Sequence, residues 1–126
     1  MKIVVIGGTG RIGRGVVQRL AAAGHEAIAA APSTGVDVLS GEGLAAVMSQ
    51  AEVVIDLSNP PSFEDQDVLS FFQTAGHNLL ALAKEQRVRH HVVLSVVGTD
   101  RLSSSGYFRG KIAQERLVRE SGVPYT

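Results

Sequence analysis

The chain has 126 residues, 44% of them apolar and 19% charged, with 12 basic and 12 acidic side chains. That length accommodates one domain, residues 1–126, and the composition excludes a disordered chain. Zero net charge removes the long-range field that draws proteins to nucleic acid or anionic lipid, and the lack of cysteine excludes disulfides and thiolate metal sites.

Met1-Lys2 is followed by only four apolar residues before Gly7, which is no leader pattern. No uncharged apolar stretch approaches the roughly 20 residues of a membrane span. The expectation is a soluble, cytoplasmic protein with a small-molecule substrate, and with neither nucleic acid nor membrane as partner.

Ile3-Val4-Val5-Ile6 is β-branched with apolar residues on both faces, the pattern of a buried parallel strand. A glycine-rich turn follows. Ile12, Val16, Val17 and Leu20 then recur at helical spacing up to Gly24, which stands where a helix cap glycine belongs. Glu26 to Ala31 reads as a second strand ended by Pro32, and Val36-Asp37-Val38 as a very short third. Leu44, Val47 and Met48 mark one face of a short helix between about Ser40 and Gln50. Val53 to Leu57 is a further buried strand.

Asn59-Pro60-Pro61 places Ser58 to Ser62 in a loop, and Ser62 with Asp65 reads as a capping box opening a long helix. The buried face of that helix carries Val68, Phe71, Phe72, Ala75, Leu79, Leu82 and Ala83. Val92 to Val96 reads as a fifth strand, and the serine-rich stretch Thr99 to Gly106 as a mobile loop. Tyr107 to Glu120 is helical again until Gly122 and Pro124 stop it, and Val123 to Thr126 reads as a sixth strand only begun. Strands alternating with helices mean parallel crossovers. The predicted fold class is therefore an α/β layer sandwich on a parallel sheet of about five strands.

Gly7-Gly8-Thr9-Gly10-Arg11-Ile12-Gly13 fits GxGxxG at Gly8, Gly10 and Gly13, and GxxGxxG at Gly7, Gly10 and Gly13. It follows a strand and opens a helix, the context in which such glycines let backbone approach a pyrophosphate. The start of that helix, at Arg11, Ile12 and Gly13, offers unpaired N–H groups and a partial positive charge to the anion. An NAD site usually ends its second strand with an acid for the ribose 2′-hydroxyl, and here that position falls at Ala30-Ala31-Pro32. Ser33 and Thr34 suit a 2′-phosphate instead, with Arg11 or Arg14 supplying charge, so NADP(H) is favoured over NAD(H). Either arginine equally suits a solvated place on the first helical turn. Asp37 and Val38 stand where they would bracket the adenine, and Asp37 equally suits a turn cap.

Tyr107 and Lys111 form Y-x-x-x-K, which puts both on one helix face. A lysine cation beside a phenol lowers its pKa, so that the tyrosine exchanges a proton with a substrate oxygen. The lysine then holds cofactor ribose hydroxyls. Ser95 closes the fifth strand at its carboxyl end, where a hydroxyl polarises the same oxygen. His90 and His91 are adjacent near a strand, point to opposite faces and cannot chelate one metal, so no metal site is expected.

With the glycine turn, these residues resemble the N-terminal part of a short-chain dehydrogenase/reductase. More narrowly, the chain is similar to the atypical, NmrA-like NAD(P)-binding oxidoreductases and their epimerase/dehydratase relatives. The likeness runs through Thr74 to Leu80, Val92 to Ser95, Tyr107 to Lys111, Glu115-Arg116-Leu117 and Ser121 to Thr126. It implies a Rossmann-type fold, a dinucleotide in the crevice with Ser58-Asn59-Pro60 along it, and hydride transfer over Ser95, Tyr107 and Lys111. Phe72 stands where many catalytic members carry an asparagine. Some NmrA-like proteins bind dinucleotide as redox sensors without turnover, which is the alternative function. Relatives also continue beyond the sixth strand, so the chain is expected to be an incomplete domain.

Overall fold

Apolar residues on both faces commit the β-branched runs to a sheet covered on two sides. The computed structural model describes residues 1–96 and 105–126. Strands β1 (Lys2–Ile6), β2 (Glu26–Ala30), β3 (Val53–Asp56) and β4 (His90–Val93) form one parallel sheet in the order β2-β1-β3-β4. The helices are α1 (Arg11–Ala22), α2 (Leu44–Met48), α3 (Asp65–Glu85) and α4 (Gly106–Glu120). From β1 the chain crosses one way to β2, and from β3 the other way to β4. Right-handed crossovers therefore put α1 and α3 on opposite faces, which makes the three layers of a Rossmann-type sandwich. The order reverses between β1 and β3, so a crevice opens at the carboxyl ends of those strands.

One core cluster joins Val4, Ile6 and Val54 of the sheet to Leu44 and Met48 of α2 and Leu79 and Ala83 of α3. A second, around Val68, Phe71, Phe72 and Ala75 of α3, packs against Tyr107 of α4. In the strand register Ile6, Asp56 and Val93 share one row, as do Val4, Val54 and His91. Asp56 and His91 thus face the same layer.

Four expectations are corrected. The described sheet has four strands, because Val36–Val38 forms no strand. Its backbone groups are used elsewhere: Asp37 N donates to Glu42 O at 2.9 Å, and the Asn78 amide donates to Val38 O at 2.8 Å and Leu39 O at 3.1 Å. The strand expected at Val92–Val96 lies at His90–Val93, with Leu94 N still donating to Asp56 O at 3.2 Å. Ser62 makes no capping box, since it lies two residues before the N-cap Glu64. Its hydroxyl instead accepts from Glu64 N at 3.2 Å and donates to Asp67 at 3.0 Å. The short helix contracts to Leu44–Met48, entered through Gly43 at φ +72°.

The loop expected at Thr99–Gly106 falls mostly on residues 97–104, outside the described residues. Past α4, Tyr125 makes a parallel bridge to His91, with His91 N donating to Pro124 O at 2.8 Å and Val93 N to Thr126 O at 3.0 Å. These residues run beside β4 as the start of another strand does. Among the described residues no helix is long and apolar enough to cross a membrane.

His91 is buried, and among the described residues its Nδ1 has no hydrogen-bond partner. Burial lowers its pKa, against the pull of the Asp56 carboxylate and with that of His90. The unfolded chain therefore takes up this proton first. The neutral ring's contribution to stability is complete above about pH 6.5 and is lost as pH falls through the lower folded value. Melting curves of the native chain and of His91→Leu should diverge in pH dependence. The native Tm should drop more steeply below about pH 6.5, and equal slopes would contradict this account.

Candidate active site

The site begins at the end of β1. Gly7 turns with φ +77°, and its N–H donates to Ala30 O at 2.8 Å, locking the turn to β2. Gly10 N donates back to Gly7 O at 3.1 Å, and a Cβ on Gly13 would fall on that same carbonyl oxygen. Helix α1 therefore starts in contact with the strand end, a closeness only glycine allows. Gly10 is the N-cap and brings no side-chain cap. The first helical bond runs from Arg14 N to Gly10 O at 3.0 Å, so the N–H groups of Arg11, Ile12 and Gly13 precede it. This uncapped, Cβ-free cradle fits a pyrophosphate.

Two crevices flank the cradle. The first, about 280 Å³, lies beside Gly7, Ala31, Asp37, Val38, Ser58 and Asn59, with Phe71 as apolar wall. Asp37 caps the turn here, its Oδ1 accepting from Leu39 N at 2.8 Å and Ser40 N at 3.4 Å. Ser33 is exposed, with its hydroxyl 3.4 Å from that of Thr9. Thr34, expected at a 2′-phosphate, is exposed, and its hydroxyl is engaged locally. Its hydroxyl accepts from Ala31 N at 2.9 Å, and its own proton is directed at Ala31 O and Ala29 O, at 3.0 and 3.2 Å. Arg11 is exposed, and Arg14 Nε donates to Thr9 O at 3.1 Å.

The second crevice, about 360 Å³, brings together Ile12, Ser58, Asn59, Ser95, Tyr107 and Lys111. It shares Ser58 and Asn59 with the first, so the two are contiguous. Tyr107 donates its hydroxyl to Asn59 Oδ1 at 3.3 Å. Lys111, 4% exposed, turns inward: Nζ donates to Leu94 O at 2.6 Å and Gln114 Oε1 at 2.7 Å and lies 4.7 Å above the Phe72 ring. Burial lowers the Lys111 pKa, while Asp56 and Glu115 pull it back up.

The expected lowering of the tyrosine pKa is therefore reversed. Burial pushes the Tyr107 phenol above its ordinary value, while the ammonium spends its hydrogen bonds in the interior. Ser95 likewise commits its one proton to Glu115 Oε1 at 2.7 Å, and as placed offers the crevice only an acceptor. His90 and His91 meet no metal cluster; among the described residues no group of three or more potential ligands occurs.

Sequence reasoning missed Asp56, Gln114 and Glu115. Asp56 Oδ1 accepts from Ser58 N at 3.0 Å and Ser58 Oγ at 2.6 Å, and its Oδ2 accepts from Gln114 Nε2 at 3.2 Å. The available signal was an acid inside the apolar run Val53–Leu57, at the carboxyl end of a buried strand.

Cradle and contiguous crevices at the carboxyl ends of a parallel sheet define an NAD(P)-binding Rossmann domain. The chain belongs to the NAD(P)H-binding family, whose model matches residues 7–126. It is 32% identical to (4-alkanoyl-5-oxo-2,5-dihydrofuran-3-yl)methyl phosphate reductase of Streptomyces griseus, a match covering 98% of this chain and 45% of that protein. It is 30% identical to an isoflavone reductase homolog of Arabidopsis thaliana, over 99% of this chain and 46% of that one, in keeping with the NmrA-like relationship. The fold resembles that of Citrobacter sp. triphenylmethane reductase complexed with NADP(H): TM-score 0.77, 21% identity, 99% of this chain and 47% of that one. The chain spans about half the length of the curated relatives it matches.

With Tyr125→Phe, Tyr107 is the sole tyrosine of the chain. Its phenolate absorbance should then rise with a midpoint above about pH 10. A midpoint below that value would mean that a cation reaches the phenol after all.

Proposed function

We propose that this chain is the dinucleotide-binding part of an NAD(P)H-dependent oxidoreductase of the short-chain type, acting on a carbonyl, quinone or hydroxyl substrate. The observation that carries the reading is the second crevice, which gathers Ile12, Ser58, Asn59, Ser95, Tyr107 and Lys111 from four separate segments. When bound, the reduced dinucleotide supplies a hydride to the substrate carbon. Tyr107 gives its proton to the substrate oxygen and regains one from solvent. A phenol kept protonated by burial suits this acid role in reduction. Lys111 places a positive charge on the crevice wall, and Asn59 orients the Tyr107 hydroxyl. The cofactor-binding part is assigned to Gly7, Gly10, Arg11, Ile12, Gly13, Ser33, Asp37, Val38, Ser58 and Asn59.

NADP(H) is proposed over NAD(H) because β2 ends in Ala30-Ala31 with no carboxylate, while exposed Arg11 and Ser33 remain available to a 2′-phosphate. Thr34 is left out of that set. A second reading, a non-catalytic redox sensor, is favoured by one observation: Ser95 is bonded to Glu115 rather than open to substrate.

Fluorescence titration should give tighter binding of NADPH than of NADH. The reverse order would overturn the cofactor preference, and no binding of either would overturn both readings. Tyr107→Phe should cut NADPH-dependent reduction of a carbonyl panel by at least roughly a hundredfold while leaving NADPH affinity unchanged. A native chain that binds NADPH but turns over no quinone, ketone or aldehyde would favour the sensor.

A further inference from the structure

Lys111, Gln114 and Asp56 are 4%, 2% and 2% exposed, and they lie in one hydrogen-bonded row. The ammonium donates to Gln114 Oε1 at 2.7 Å, and the same amide donates from Nε2 to Asp56 Oδ2 at 3.2 Å. The amide cannot be turned around. A lysine only donates and a carboxylate only accepts, so each end of Gln114 has one permitted direction. Asp56 then fixes Ser58 through both its N–H and its hydroxyl, and Ser58 lines both crevices.

We propose that Gln114 is the positioning residue for Lys111, and that Asp56, by orienting the Gln114 amide, ties the lysine to the Ser58 turn along which the dinucleotide runs. This rests on the reading of the crevices as a dinucleotide site. A buried cation and a buried anion, each costly alone, are bridged by a neutral dipole aligned with both. The bridge keeps the charge of Lys111 at the wall of the crevice and stops its four-carbon stem from swinging. Leu94 O and the Phe72 ring complete the socket. Among the described residues, the charged and titratable groups acting on it are Asp56 from β3 and Glu115 from α4, with Tyr107 of α4 on the same crevice wall; His91 of β4 in turn senses Asp56. A purely structural role does not require a charge here, because apolar residues of similar volume fill a buried site at least as stably. What the row adds is a fixed cation on the wall beside Tyr107.

The test follows the ¹³Cε resonance of Lys111 against pH in the ligand-free chain, together with NADPH affinity. Gln114→Leu removes both ends of the bridge and should move the Lys111 titration down. Gln114→Glu adds a carboxylate at the same place and should move it up, and Asp56→Asn should move it down. Gln114→Leu should also weaken NADPH binding roughly tenfold, the scale of one hydrogen bond to a charged group. In a Lys111→Met background the same substitution should cost nothing further. The inference is overturned by a Lys111 midpoint that does not move in these variants. It is equally overturned if Gln114→Leu costs the same affinity with and without the lysine. Should Gln114→Leu fail to fold, Gln114→Glu and Asp56→Asn carry the test. If the native chain bound no dinucleotide, the functional reading would fall, and the ligand-free titration alone would still decide the lysine's positioning.

Discussion

A carboxylate closed off from water at the end of β3 must find its hydrogen bonds inside the protein, and the site is arranged around how Asp56 does so. One oxygen holds the backbone and hydroxyl of Ser58, and the other holds the Gln114 amide. The first bond set fixes the start of the loop common to both crevices. The second reaches across to α4 and, through it, to the buried lysine. Loss of either partner would leave an anion uncompensated in a low-dielectric interior, so strand end, loop and helix are constrained together.

The other fixed point is the contact between Gly13 and the Gly7 carbonyl. It draws the start of α1 against the end of β1, and no side chain caps the helix there. The cradle is thus a consequence of packing as much as of polarity. An anion held there would meet backbone dipoles, which accords with a chain that carries no net charge.

Tyr107 and Lys111 divide the chemistry differently from what their spacing suggests. Sharing a helix face does not make them partners. The phenol lies against Asn59 and stays a strong proton holder, while the ammonium is drawn inward by Leu94 O and Gln114. Ser95, at the third corner, is held by Glu115. The crevice in this form offers one neutral acid and one wall-mounted cation.

The strand at Ile3–Ile6, the glycine turn and its helix, and the helical face from Val68 to Ala83 were legible because their causes are local: side-chain period, β-branching and the steric freedom of glycine. The same reasoning singled out Ile12, Ser58, Asn59, Ser95 and Tyr107, which stand near the ends of recognisable elements, and Lys111 one turn along from Tyr107. It failed where a side chain had distant competitors for its hydrogen bonds. Val36–Val38 looked extended, yet the amide of Asn78, 40 residues on, takes the Val38 carbonyl. Ser95 looked free, yet Glu115, 20 residues on, holds its hydroxyl. Gln114 and Asp56, 58 residues apart, carried no joint signal in the sequence. By itself, then, the sequence determined a parallel α/β sheet with a phosphate cradle. Only the tertiary structure decided which polar groups face the crevices. A hydrogen-bonding group takes the partner nearest in space, and burial raises the cost of having none.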